Sequence, residues 1–116
     1  MTTITIPAPC TWINSNQRIH RMQHAKLTAI WRETARTLWH HGTYTEGQIH
    51  ITCHIYKPHR GRYDPGNLYP TAKACVDGLV EAGMIADDDW AHVIGPDMRH
   101  GGIGPAALII TIEPYE

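Results

Sequence analysis

Five aspartates and a lysine fall at intervals that could do chemistry together: Asp64, Lys73, Asp77 and the run Asp87-Asp88-Asp89. Clustered carboxylates hold hard divalent cations through their oxygens. A cation held there activates water and takes up charge at a phosphate, which are the two needs of phosphodiester cleavage. Adjacent aspartates repel one another, so such a run is either a solvated turn or a cation site. Lys57, Arg60 and Arg62 lie within eight residues of Asp64, and these are the residue types that neutralise backbone phosphates. Lys73 and Asp77 stand at i, i+4, a spacing that also suits a plain surface ion pair worth about 0.3–0.5 kcal/mol.

Charge is strongly segregated although the whole chain carries only −1. Residues 1 to 63 hold eight Lys and Arg against Glu33 and Glu46, whereas residues 64 to 116 hold Lys73 and Arg99 against nine Asp and Glu. A polyanion-binding surface beside a cation-holding carboxylate cluster has this pattern. Charge complementarity inside one ordinary domain produces it too.

Other reactive residue types point elsewhere or nowhere. Cys10, Cys53 and Cys75 are odd in number and lack metal-finger or redox spacing, so free thiols in a reducing compartment are expected. Nine histidines invite a zinc reading, above all His50 and His54, yet no ligand motif accompanies them. His59 and His92 flank the acidic residues and are candidates for proton transfer. Trp31 and Trp39 fit a core or a dimer interface, with base stacking as the alternative.

The elements that must position these residues can be read from periodicity. A chain of 116 residues with 42% apolar content suits one domain spanning residues 1 to 116. It shows no apolar run long enough for a membrane span and no secretory signal, so a cytoplasmic protein is expected. Thr3 to Pro7 alternates as a short strand. Leu27, Ile30, Trp31, Ala35, Leu38 and Trp39 lie at helical spacing within a helix from about His20 to His41, stopped by Gly42. Gln48 to Tyr56 alternates as a strand ended by Pro58, and a basic, turn-rich loop follows to Gly66.

A second helix is predicted from Asn67 or Pro70 to Ala82. It has Leu68, Ala72, Cys75, Val76, Leu79 and Val80 as its buried stripe, and Gly83 stops it. A short extended piece near His92 to Ile94, a glycine-rich turn at 101 to 104 and an apolar strand from Ala106 to Glu113 complete the chain. The near-continuous apolar character of the last strand predicts burial on both faces at the sheet centre. The order β-α-β-α-β predicts an α/β (α+β) fold, one mixed sheet packed with two main helices. A helix from residue 70 to 82 is about 20 Å long, which puts Asp64 and Asp88 at opposite ends of it. Either the chain after Gly83 folds back or a second subunit completes the site.

In order along the chain, Arg62-Tyr63-Asp64-Pro65-Gly66-Asn67-Leu68, Lys73, Asp77-Gly78-Leu79, Ala82-Gly83 and Asp87-Asp88-Asp89 with His92-Val93 resemble the signature of the RusA family of Holliday-junction resolvases. That signature runs from a basic loop into Asp-x-Asp-Asn, a helical Lys, Asp-Ala-Leu, Ala-Gly, and Asp-Asp before a Gln-Val-like strand. Ile6-Pro7 and Asn14 to Arg18 resemble the family's proline-containing strand end and its Ser-x-Asn-x-Arg element.

The resemblance implies a RusA-like fold and a homodimeric crossover junction endodeoxyribonuclease of phage or prophage type. Such an enzyme resolves four-way DNA by paired nicking with Mg²⁺, or with Mn²⁺ in its place. Asp64 matches the first metal-binding aspartate, Asp87 or Asp88 the last, and Lys73 the lysine near the scissile phosphate. Ser15, Asn16, Arg18, Lys57, Arg60, Arg62, Asn67 and Lys73 fall in or beside the segments expected to contact DNA. One position departs from the family: Gly66 stands where a second metal-binding aspartate is expected. Asp77 or a third member of the Asp87 to Asp89 run substitutes for it, or a backbone carbonyl and water fill the gap, or cleavage is lost and a branched-DNA-binding protein remains. The extra aspartate of the run favours substitution. A histidine-rich metal-binding module without a DNA role is the reading furthest from this one.

Overall fold

The structure, a computed structural model, describes residues 1 to 39 and 47 to 115. Strand β1 is Thr2–Pro7, helix α1 Arg21–Thr37, strand β2 Ile49–Lys57, helix α2 Tyr69–Glu81, strand β3 Val93–Ile103 and strand β4 Ala107–Pro114; a 3-10 turn, Pro65–Leu68, leads directly into α2. The strands form one mixed sheet in the order β1-β4-β2-β3. β4 runs antiparallel to both β1 and β2, and β3 runs parallel to β2. This is the α+β fold expected, with one more full strand than the sequence pattern reveals.

Alternation decides which side of the sheet is covered. Ile4, Ile6, Ile51, Cys53, Ile55, Leu108, Ile110 and Ile112 project from one face into a single cluster with Leu27, Trp31 and Ala35 of α1 and Ala72, Cys75, Val76 and Leu79 of α2. The opposite face carries the exposed Thr3 and Thr5 and the half-buried His50, Thr52, His54, Ile109 and Thr111. β4 therefore takes the inner position predicted for it, but both helices lie on one side and Ile109 is not fully covered. Burial of Cys53 and Cys75 keeps both thiols protonated, Cys53 being pushed up to about 12. All three cysteines are free.

The glycine-rich segment is a strand where a turn is expected. β3 continues through Gly101 and Gly102 to Ile103, and the turn to β4 follows. Tyr56 on β2 is the reason: a Cβ on Gly101 would lie 2.5 Å from its ring. Gly101 therefore makes room for an aromatic side chain instead of breaking the strand. In α1, the His20 imidazole caps the first turn by accepting from the Met22 N–H at 3.1 Å. Trp31 is fully buried, stacked at 5.0 Å and 34° on Trp12, and its indole N–H donates to the Thr11 carbonyl. Leu38 is 42% exposed and so falls outside the expected stripe. The stop assigned to Gly42 lies outside the described residues.

The two helices meet at Gly78. A Cβ at this position would stand 2.2 Å from the Arg32 carbonyl oxygen of α1 and 3.1 Å from the Arg36 nitrogen. Alanine at a helical glycine gains up to about 1 kcal/mol of propensity, but overpacking of backbone against backbone typically costs about 1–3 kcal/mol. The steric term wins at this separation. Gly78→Ala is expected to lower the unfolding free energy by a net of about 1–2 kcal/mol, read as a lower urea midpoint; a midpoint equal to or above wild type contradicts the close approach.

Candidate active site

Asp64 sits at the start of the 3-10 turn in extended conformation, and its carboxylate accepts the Gly66 N–H at 2.9 Å. The Asn67 N–H closes the turn on the Asp64 carbonyl at 3.0 Å. Pro65 supplies a preset φ at the first position, and Leu68, 2% exposed, anchors the turn in the core. Asp64 itself is left exposed.

A second turn, far away in sequence, docks on this one. The Ser15 N–H donates to the Asn67 carbonyl at 2.8 Å. Two residues earlier, the fully buried Thr71 hydroxyl accepts the Ile13 N–H at 2.8 Å and donates to the Ile13 carbonyl at 2.9 Å. Asn14 shapes the turn by accepting the Asn16 N–H on its side chain at 2.7 Å. Ser15, Asn16 and the exposed Arg18 are thus carried on a loop fastened beside Asn67 and the first turn of α2.

The fold-back after α2 is built by a Schellman turn. Gly83 has φ +86°, its N–H bonds to the Val80 carbonyl, and the Met84 N–H bonds to the Leu79 carbonyl, each at 3.0 Å. Met84 and Ile85 then plunge into the core at 1% and 3% exposure. The chain returns along α2, so that Asp88 reaches Lys73 in the helix's second turn. Lys73 Nζ donates to Asp77 Oδ1 at 2.8 Å and also bonds the Asp88 carboxylate. The chain after Gly83 thus folds back within one subunit as far as Lys73 in the helix's second turn.

These contacts shift both groups. Burial alone pulls the Lys73 ammonium down, but the hydrogen bonds from Asp77 and Asp88 outweigh it and hold the side chain protonated well above the ordinary lysine range. The Asp88 carboxyl is lowered, chiefly by the Lys73 bond and then by Asp77. Asp87 caps the Asp88 N–H at 2.7 Å. Asp89 binds the His92 ring and raises the imidazole above its usual range through that hydrogen bond.

Each of the four expected metal ligands consequently has a local partner: Gly66 N–H for Asp64, Asp88 N–H for Asp87, Lys73 for Asp88 and His92 for Asp89. Among the described residues no three His, Cys, Asp or Glu side chains gather to hold a metal ion. An ammonium stands where two of the carboxylates converge. As placed, each carboxylate is engaged separately, and together they form no ready-made shell for Mg²⁺ or Mn²⁺.

The basic loop is also organised by residues that sequence reasoning passes over. Lys57 Nζ lies 4.2 Å above the Tyr63 ring, a cation–π contact, and the Tyr63 hydroxyl shares a 2.6 Å hydrogen bond with His100 Nδ1 of β3. Arg60 and Arg62 remain exposed between these anchors. The contribution of His100 becomes visible only once β3 is paired with β2. Thr71 did carry a signal, as a polar residue beside the apolar stripe of α2. His50 is held by Asp97 at 2.6 Å on the uncovered sheet face, away from the helical layer.

Compared with known proteins, the chain matches no protein-family model and no curated protein. Among the described residues no helix is long and apolar enough to cross a membrane.

The Lys73–Asp88 contact gives a pH signature. A carboxylate with a depressed folded pKa stabilises the fold fully above its unfolded pKa, about 3.9, and loses that contribution as pH falls through the folded value. Both side chains are partly exposed, so the contribution is about 1 kcal/mol. Asp88→Asn is expected to lower the unfolding free energy by that amount at pH 7. In urea titrations the gap to wild type should close as pH drops below about 4; a gap independent of pH would exclude the ion pair as its source.

Proposed function

We propose that this chain acts on branched DNA as a structure-selective endodeoxyribonuclease of the RusA type, nicking four-way junctions in a Mg²⁺-dependent reaction. The observation that carries this reading is the docking of the Asn14 to Arg18 turn on the Asp64 to Leu68 turn through Ser15 and Asn67. Segments some fifty residues apart, each carrying residues expected to contact DNA, share one end of α2. Arg18 on the first segment and Arg60 and Arg62 just before the second are exposed, as a phosphate grip requires. Lys73 follows within two turns of helix and uses two of its three N–H donors on Asp77 and Asp88. The third can meet a phosphate oxygen, where the ammonium would stabilise charge as it develops. The homodimer, Mg²⁺ with Mn²⁺ as substitute, and a cytoplasmic location belong to the same proposal.

A second reading, junction binding without cleavage, is favoured by the pairing of Asp88 with Lys73 and by Gly66. A side chain at Gly66 would begin 3.3 Å from the Asp64 carboxylate, with no backbone atom in its way. Gly66→Asp therefore adds a carboxylate directly beside Asp64. If the chain is a nuclease, purified wild type should nick a synthetic four-way junction in Mg²⁺ and stop on chelation. Asp64→Asn and Asp88→Asn should abolish nicking, and Gly66→Asp should leave the rate unchanged or lower it. Wild-type binding without nicking, together with nicking restored by Gly66→Asp, decides for the second reading. Absence of junction binding discards both.

The grip is tested by salt. Each phosphate neutralised by Lys or Arg contributes about 0.9 to the slope of log affinity against log salt. Replacing Arg60 and Arg62 together by Ala should flatten the slope by about two units, measured by anisotropy of a labelled junction. An unchanged slope removes this loop from the interface.

A further inference from the structure

We infer that Trp90 is a base-stacking residue that reads the branch point of the DNA; this rests on the branched-DNA reading above. At 84% exposure it is the most exposed large apolar side chain among the described residues. A tryptophan this open gains nothing from the core; of the two for which sequence left stacking as the alternative, Trp31 is fully buried and Trp39 is part-buried against the core.

The indole is presented from a braced turn. The Gln48 side-chain amide donates to the Trp90 carbonyl at 3.0 Å, and the Asp89 carbonyl accepts both the His92 and the Val93 N–H at 3.0 Å. Ile49 N–H then bonds the His92 carbonyl at 2.8 Å, tying the turn to the start of β2. Trp90 lies two residues from Asp88, so its backbone is within about 7 Å of the residue that Lys73 holds.

Charge around the turn selects what the indole can meet. Asp87, Asp88 and Asp89 flank it, and even with Lys73 and His92 engaged they disfavour lying along a row of phosphates. An exposed aromatic face that follows an acidic run in the chain suits bases, which are uncharged and present π faces where a duplex opens. In continuous duplex DNA those faces are stacked away. The exposed arginines near Asp64 supply the phosphate contacts, and Trp90 supplies discrimination for unpaired or unstacked bases.

The experiment compares wild type, Trp90→Ala and Trp90→Phe on labelled four-way junction and linear duplex across a salt series, with sedimentation velocity on each protein. Trp90→Ala is expected to weaken junction binding on the order of tenfold. Duplex affinity and the salt slope should stay as in wild type, because stacking releases no counterions, and Trp90→Phe should recover most of the loss. Junction affinity unchanged in Trp90→Ala overturns the proposal while leaving the branched-DNA reading intact. So does an equal loss on duplex, or a change of oligomeric state confined to Trp90→Ala, which would mark Trp90 as a protein contact. Wild type that does not bind junctions overturns both. Since Trp90 packs against little, unaltered thermal unfolding of the variants confirms that binding, not folding, is being read.

Discussion

Helix α2 is packed so closely against α1 that the Arg32 carbonyl occupies the space a side chain at Gly78 would need. Seven of its residues, Thr71, Ala72, Ala74, Cys75, Val76, Gly78 and Leu79, are buried, because α1 lies on one flank and the sheet below. Lys73 and Asp77 stand on the part of the helix that is left partly open to solvent. A helix held this firmly can act as a ruler along which other segments are placed. The Thr71 hydroxyl fixes Ile13 at its first turn, and Lys73 fixes Asp88 at its second.

The candidate site is therefore assembled from three pieces of chain placed along α2, two of which also touch directly through Ser15 and Asn67. The N-terminal turn arrives by the Ile13 clamp, the Asp64 turn by direct continuity, and the acidic loop by the Schellman turn at Gly83 with the burial of Met84 and Ile85. The electrostatics follow from that geometry. Lys73 neutralises the point where Asp77 and Asp88 converge, and His92 answers Asp89. The acidic run is thereby partnered internally, which offsets the mutual repulsion of adjacent carboxylates.

The basic side of the site depends on a strand. Tyr63 is clasped between Lys57 at the end of β2 and His100 on β3, so Arg60 and Arg62 leave a loop anchored at its far end. β3 in turn can pair with β2 alongside Tyr56 because Gly101 leaves room for the Tyr56 ring.

By itself the sequence determined whatever is local. The alternation of Ile49, Ile51, Cys53 and Ile55 and the helical spacing of Ala72, Cys75, Val76 and Leu79 bury those faces wherever the elements pack. Lys73 and Asp77 meet because four residues make about one turn, and Gly83 ends α2 because it tolerates positive φ. Tertiary structure alone decided that both helices lie on one face of the sheet, that residues 93 to 103 form a parallel strand, and that Asp88 returns to Lys73. It also decided that Ser15 lands on Asn67, and that the four aspartates expected to share a metal are each satisfied separately. These outcomes turn on contacts between residues distant in the chain. Periodicity reports which face of an element is apolar, but it carries no information on which distant side chain arrives to share a proton or a hydrogen bond.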